Sequence, residues 1–377
     1  MAQRLRAAFI RGGTSKGLVF HLRDLPADRA RWDALFLSAM GSPDRHGRQL
    51  DGMGGGVSSL SKVCVIGPPS VADADVDYTF VQVQVKDARC DYSGNCGNMS
   101  SAIGPFAVDE GLVPRPQDGD ALVRIHNTNT GKIIHAVFEV RNGRSVERGD
   151  LRIPGVDGTG APVRLDFLDP GGATTGRLLP TARVVDSLEV PGIGRVTASL
   201  VDAANACVFV EAGAFGLTGS ELPDALESDA SMMRRLADVR LHAAVAMGIA
   251  DSIDAARLIR MVPMIAFVSA PRDSPTLSGE TTPADAADLV VRMLSNGQVH
   301  RALPLTGSLC TAVAAQLEGS VPWRLARRGR TGPVRLSMPS GVLTVDAKVS
   351  QAHGIWRAER GSFFRTTRRL FDGQVYA

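Results

Sequence analysis

Cysteine is scarce in this chain: five occur in 377 residues, an odd number, and no two stand in Cys-x-x-Cys spacing. That excludes a disulfide framework and a structural zinc site, so each thiol has to be judged singly. The seven histidines show no ligand spacing, and no segment signals a metal or an organic cofactor. Long apolar runs are missing too. Nothing approaches the roughly 18 apolar residues of a membrane-spanning helix, and the opening stretch is too short in apolar residues for a signal peptide. A cytoplasmic protein without a membrane partner is the expectation. Blocks of one charge are also absent: the net charge of +3 is spread along the chain. That excludes a nucleic-acid footprint and leaves any positive field local.

What the chain does have is length and punctuation. Its 377 residues exceed one ordinary hydrophobic core, so two domains are expected, with a cleft between them as the ligand site. The first half reads as short strands at 7–11, 17–21, 62–67, 76–92, 122–126 and 133–140, broken by Gly, Pro, Asn and Asp. Helices are expected at 29–40 and from Gly97 to about Glu110; the second is apolar nearly all round, the mark of a buried helix. Residues 150–183 are rich in Gly, Pro and Thr, which places the division at 1–184 and 185–377, the last segment being free to pack back on the first domain. The second half repeats the plan, with strands at 194–201, 206–212, 262–270, 333–337 and 341–348, amphipathic helices at 227–247 and 283–296, and an apolar helix from Gly307-Ser308. The fold class expected is α+β, each half a set of strands enclosing one apolar helix.

The strongest chemical signal is Asp91-Tyr92-Ser93-Gly94-Asn95-Cys96-Gly97-Asn98-Met99. A cysteine at the mouth of a buried helix meets orphan N–H groups and the positive end of the helix dipole, which favour a thiolate and attract carboxylates. The bland alternative is a small buried cysteine in a turn, but Asn95, Gly97 and Asn98 are more turn formers than a core position needs. The second signal is the glycine-rich run 52–56 followed by Ser58, Ser59 and Lys62. Backbone N–H groups around Gly55, with the two hydroxyls, suit an anion, while Lys62 on its own reads as a surface lysine at a strand start, which is what most lysines are. The loop Arg11-Gly12-Gly13-Thr14-Ser15-Lys16 offers two cations and two hydroxyls to an acidic ligand, or is a plain hairpin turn. In the second half the matching polar points are Asn205 and Thr306-Gly307-Ser308.

Several of these stretches occur together in a known family. Arg11-Gly-Gly-Thr-Ser-Lys-Gly17, Gly52-Met-Gly-Gly-Gly with Ser61-Lys62-Val63, Asp75-Val76-Asp77-Tyr78 and Ser93-Gly-Asn-Cys-Gly-Asn98 lie in the first half. Gly104-Pro105-Phe106-Ala107, Leu178-Leu-Pro-Thr181, Thr306-Gly307 and Arg365-Thr-Thr-Arg-Arg-Leu370 extend the match over nearly the whole chain. Together they resemble the 2-methylaconitate isomerase family of PrpF type, which includes methylitaconate Δ-isomerases and, more distantly, 4-oxalomesaconate tautomerases. The resemblance implies a diaminopimelate epimerase-like fold: two pseudo-symmetric domains, each a bent, mostly antiparallel sheet wrapped round a central helix. It also implies cofactor-independent isomerisation of an unsaturated di- or tricarboxylic acid, with Lys62 and Cys96 as the acid–base groups. The second cysteine of the epimerases has no counterpart here, because Pro304 to Ser308 hold none and Cys310 lies further inside the helix. Arg11, Thr14, Ser15, Lys16, Gly55, Ser58, Ser59, Asn95, Gly97, Asn98, Met99, Asn205, Thr306, Gly307 and Ser308 are the expected substrate contacts. Rival readings are a keto–enol tautomerase, an amino-acid epimerase and a non-catalytic accessory to an aconitase-like dehydratase. A homodimer stays open.

Overall fold

The computed structural model describes residues 3–92, 95–114, 116–259, 262–295, 297–327 and 332–377; Ser93 and Gly94 of the Cys96 segment lie outside the described residues. The chain forms two compact units, Met1–Phe167 with Phe364–Ala377, and Leu168–Phe363. The point 184/185 falls inside the second unit, because the segment before it is bonded there: Gly172 N–H donates to Asp202 O, Asp202 N–H to Leu178 O and Ala204 N–H to Pro170 O.

Unit 1 opens with the hairpin β1 (Arg4–Gly12) and β2 (Ser15–His21), followed by helix α1 (Trp32–Met40). Then come β3 (Lys62–Gly67), β4 (Val76–Val83), helix α2 (Gly97–Asp109), β5 (Gly119–Asn127), β6 (Lys132–Arg141) and β7 (Val163–Leu168). β1 pairs antiparallel with β2, β2 parallel with β3, β3 antiparallel with β4 and β4 parallel with β5. β5 with β6 and β6 with β7 are antiparallel, and the C-terminal strand Thr367–Tyr376 closes the other edge against β1. Side chains alternate across a strand, so β3 sends Val63 and Val65 into a cluster with Trp32, Phe36 and Met40 of α1. Lys62 and Cys64 therefore lie on the opposite face. Residues Met99 to Val108 of α2 are all buried, as an apolar helix requires.

Unit 2 runs β8 (Asp186–Val190), β9 (Gly194–Asp202), β10 (Ala206–Glu211), helix α3 (Ala230–Ala246), β11 (Met264–Ser269), β12 (Leu289–Ser295) and helix α4 (Leu305–Gln316). β13 (Val334–Met338), β14 (Gly341–Ala352) and β15 (Ile355–Arg365) follow, the last two residues of β15 belonging to unit 1. β8–β9 and β9–β10 are antiparallel, β10–β11 parallel, β11–β12 antiparallel, β12–β13 parallel, and β13–β14 and β14–β15 antiparallel. α4 packs against β9, β10, β13 and β14.

One expected helix is wrong. Residues 283–296 hold a short 3-10 turn at Ala284–Ala286 and then β12, every residue of which is buried between β11 and β13. A strand buried on both faces loses its alternation and can imitate an amphipathic helix. The expected helix at 227–247 is in fact two, Pro223–Ser228 and α3, separated by Asp229, whose carboxylate caps α3 by accepting from Ser231 N–H and Met232 N–H. Among the described residues no helix is long and apolar enough to cross a membrane.

Candidate active site

Cys96 is the N-cap of α2, in extended conformation at φ −112°, ψ 100°. Ser100 holds it there: its N–H and its Oγ both donate to the carbonyl of Cys96, at 2.9 and 3.0 Å, and the same Oγ lies 3.2 Å from Asn95 Oδ1. Of the five cysteines only Cys96 is not buried. Burial pushes the thiols of Cys64 and Cys207 up, and that of Cys90 up to about 12, so these stay protonated. The N-cap position leaves Cys96 beside the unpaired N–H groups of the first turn of α2.

Lys62 begins β3 and is 7% exposed. The register places it opposite Gln82, and its Nζ donates to Gln82 Oε1 at 2.5 Å. The Gln82 amide cannot flip freely, because its Nε2 donates to the carbonyls of Ser58 at 3.0 Å and Ser61 at 2.9 Å, which directs the oxygen at the amine. Phe80, two residues before Gln82 on the same face, puts its ring centroid 4.9 Å from Nζ.

The glycine-rich loop is anchored by one buried side chain. It wraps the buried Gln49, whose Nε2 donates to Ser42 Oγ at 2.8 Å and to Ser61 Oγ at 2.7 Å, while its Oε1 accepts from Gly56 N–H at 3.0 Å. A Cβ at Gly54 would stand 2.3 Å from Gln49 Cδ, so close approach accounts for the glycine there. Gly55 and Ser58 are exposed and Ser59 half-buried, and Ser58–Leu60 forms a 3-10 turn. The loop thus delivers Ser61 and Lys62 to the sheet.

The N-terminal loop is a two-residue hairpin turn with Arg11 opposite Lys16. Arg11 Nη1 donates to the carbonyls of Gly13 and Thr366, both at 2.9 Å, and to Thr366 Oγ1 at 3.0 Å, so this guanidinium braces the hairpin. Thr14 Oγ1 accepts from Asn98 Nδ2 at 3.1 Å, Ser15 is buried, and Lys16 Nζ sits 5.4 Å from the Phe9 ring centroid. Met99 is fully buried, leaving its backbone N–H with those of Gly97 and Asn98 in the first turn of α2. Arg365 was given no role by sequence reasoning, yet it reaches this helix start: Nε donates to Asn98 Oδ1 at 3.0 Å across 267 positions of sequence. Gln82 and Gln49 were missed as well; nothing in a polar residue within a strand or a loop announces which backbone it will hold.

In unit 2 the N-cap of α4 is Pro304. Ser308 is fully buried with Oγ donating back to Leu305 O at 2.8 Å, and Gly307 is buried against Met293 and Met264. Thr306 is exposed and Asn205 half-buried, their side chains 3.5 Å apart. Cys310 is fully buried and its thiol donates to Val201 O at 3.4 Å.

A family model described as PrpF protein matches residues 2–377. The chain belongs to the PrpF family. Its relatives include a 3-methylitaconate isomerase of Eubacterium barkeri, 41% identical over 99% of this chain and 97% of that protein. A 2-methyl-aconitate isomerase of Cupriavidus necator is 39% identical over 99% of this chain and 96% of that protein. A crystal structure of methylitaconate-delta-isomerase superimposes with a TM-score of 0.92 at 40% identity, covering 100% of this chain and 96% of that one. This PrpF chain is accordingly an enzyme of the isomerase class. The fold is shared more widely: a hydroxyproline epimerase from Agrobacterium vitis matches with a TM-score of 0.50 at 12% identity, over 99% of this chain and 92% of that one.

Proposed function

We propose that this chain is a cofactor-independent isomerase that moves a proton and a double bond in an unsaturated di- or tricarboxylic acid of the 2-methylaconitate or methylitaconate type, with Lys62 and Cys96 as its acid–base groups. The observation that carries the reading is the contrast among five cysteines: four are buried and one, Cys96, stands unburied at the start of a buried helix. Lys62, held by Gln82, is the amine that can serve with it.

One of the pair takes a proton from the carbon conjugated with the alkene, and the negative charge spreads through a dienolate onto a carboxylate oxygen. The first-turn N–H groups of α2, from Gly97, Asn98 and Met99, are donors suited to that oxygen. The other group returns a proton at the far end of the allyl system, which shifts the double bond and leaves the substrate's composition unchanged. Reversal of direction exchanges the two roles.

The test is to incubate the purified protein in D2O with methylaconitate, methylitaconate, aconitate and oxalomesaconate and follow the carbon-bound protons by NMR. Deuterium should enter the allylic positions of a methylated polycarboxylate as its double bond moves. Turnover of oxalomesaconate alone transfers the chain to the tautomerase reading, and binding of every acid without exchange makes it a carrier or accessory protein.

A further inference from the structure

Arg365 closes β15 and is 6% exposed. Its Nε donates to Asn98 Oδ1 at 3.0 Å and its Nη1 to the carbonyl of Phe364 at 2.8 Å. Asn98 is the second residue of α2, and its Nδ2 donates to Thr14 Oγ1 at 3.1 Å. The hairpin tip is shaped to admit both. A Cβ at Gly13, where φ is +54°, would stand 2.3 Å from Asn98 Oδ1 and 2.9 Å from Arg365 Cδ. Three segments remote in sequence are therefore fitted so that one guanidinium lies against the mouth of the helix that Cys96 caps.

We propose that Arg365 is a positioning residue for Cys96: through Asn98 it fixes the first turn of α2, and its charge favours the thiolate at the N-cap. The inference rests on the reading of Cys96 as an acid–base group. Burial lowers the Arg365 guanidinium to about 10, and an electrostatic interaction with Cys96 opposes that shift. Cys96 bears also on Cys64 of β3 and Tyr78 of β4. Burial pushes both of those up and keeps them neutral, although Lys62 acts on Cys64 from the same strand. Of these three groups linked to Cys96, only Arg365 is charged. Arg11 and Lys16, the cations of the N-terminal hairpin loop, are turned to Thr366 and to the Phe9 ring.

The experiment reads the rate at which iodoacetamide, a neutral reagent, alkylates Cys96 near pH 7, by peptide mass spectrometry. Arg365→Met should slow it by about tenfold, because the positive charge at the helix start is removed. Arg365→Lys should keep the rate within about threefold, because the charge remains. Asn98→Asp sets a carboxylate on the guanidinium while leaving it packed and should also slow alkylation. In both slowed variants kcat should fall by at least the factor by which alkylation slows. Undiminished alkylation in Arg365→Met, or equal slowing in Arg365→Met and Arg365→Lys, overturns the proposal. If Arg365→Met does not fold, undiminished alkylation in Asn98→Asp overturns it alone. Alkylation needs no turnover, so the two readings fail separately: full activity in Cys96→Ser removes the catalytic role and leaves the alkylation result standing.

Discussion

The two units share one order of strands around a buried helix and differ in the residues that stand at its equivalent points. Starting from the C-terminal strand in unit 1 and from β8 in unit 2, the neighbour relations run antiparallel, antiparallel, parallel, antiparallel, parallel, antiparallel, antiparallel in both. In each, a helix without a polar face follows the fifth strand of that order, α2 after β4 and α4 after β12. The difference lies in what stands at equivalent points. α2 is capped by Cys96 and α4 by Pro304; β3 opens on Lys62 and β11 on Met264. The sheet-and-helix architecture needs only apolar surface, so it accepts either set. The thiol and the amine proposed as acid–base groups both sit in unit 1.

Substitution of the reactive pair should break the comparison most severely. General acid–base groups contribute about 10²- to 10⁴-fold each, so Lys62→Ala and Cys96→Ala should lose that much of kcat while the far-ultraviolet circular dichroism stays native. Cys96→Ser keeps a similar size and a hydroxyl able to hydrogen-bond but does not ionise near neutral pH, so a loss of the same order assigns the effect to proton transfer. Retention of most of kcat in Lys62→Ala would end the mechanism proposed above.

A step down in size, Gln82→Leu removes the oxygen that holds the amine but leaves the amine itself. We expect kcat to fall by about tenfold with KM nearly unchanged, the signature of an interaction that matters in the transition state. A rise in KM at constant kcat would mean that Gln82 serves substrate binding instead. Smaller still is the effect in unit 2. Cys310→Ser exchanges one buried donor to Val201 O for another, and activity should stay within about twofold, as volume-conserving changes away from a site usually do. A large loss there would show that the second helix also carries chemistry and would erase the asymmetry between the units.

Much of this was legible in the sequence because it depends on local chemistry. The apolar runs gave α2 and α4, Cys96 was singled out by the turn formers around it, and β3 was read with the bounds it has. Roles set by pairing were not legible. Arg365 acquires its place only when Asn98, 267 positions away, is brought to it. Gln49 looks like any loop glutamine until Ser42, Ser61 and Gly56 converge on it. A glycine run suits a ligand and a neighbouring chain alike, and only the fold shows that this one closes on Gln49. β12 imitated a helix because burial on both faces removed its alternation.

The smallest predicted effect concerns how the two central helices end. α4 finishes at Gln316 with Leu317 as its C-cap, whereas α2 is followed by Glu110, a negative charge at the negative end of the dipole. Unit 1 offsets this with Arg369, whose Nη1 donates to Glu110 Oε1 at 2.7 Å, and with the ring of His21, whose Nε2 lies 3.1 Å from Oε2. Burial raises the Glu110 carboxyl, but the hydrogen bonds from Arg369 and His21 outweigh it, so the carboxyl is held below its ordinary range. A carboxyl lowered in the folded state stabilises above its unfolded pKa, and that stability is lost as pH falls through the folded value. Glu110→Gln, which gives α2 an uncharged end like that of α4, should therefore cost about 1–2 kcal/mol at pH 7 by urea unfolding. The gap between variant and parent should narrow as the pH falls below the ordinary glutamate pKa of about 4.3, where the unfolded chain takes up the proton first, and vanish once the pH passes the lower folded value. A gap that stays constant from pH 7 to pH 3.5 would assign the effect to packing and leave the charge at the end of α2 without consequence.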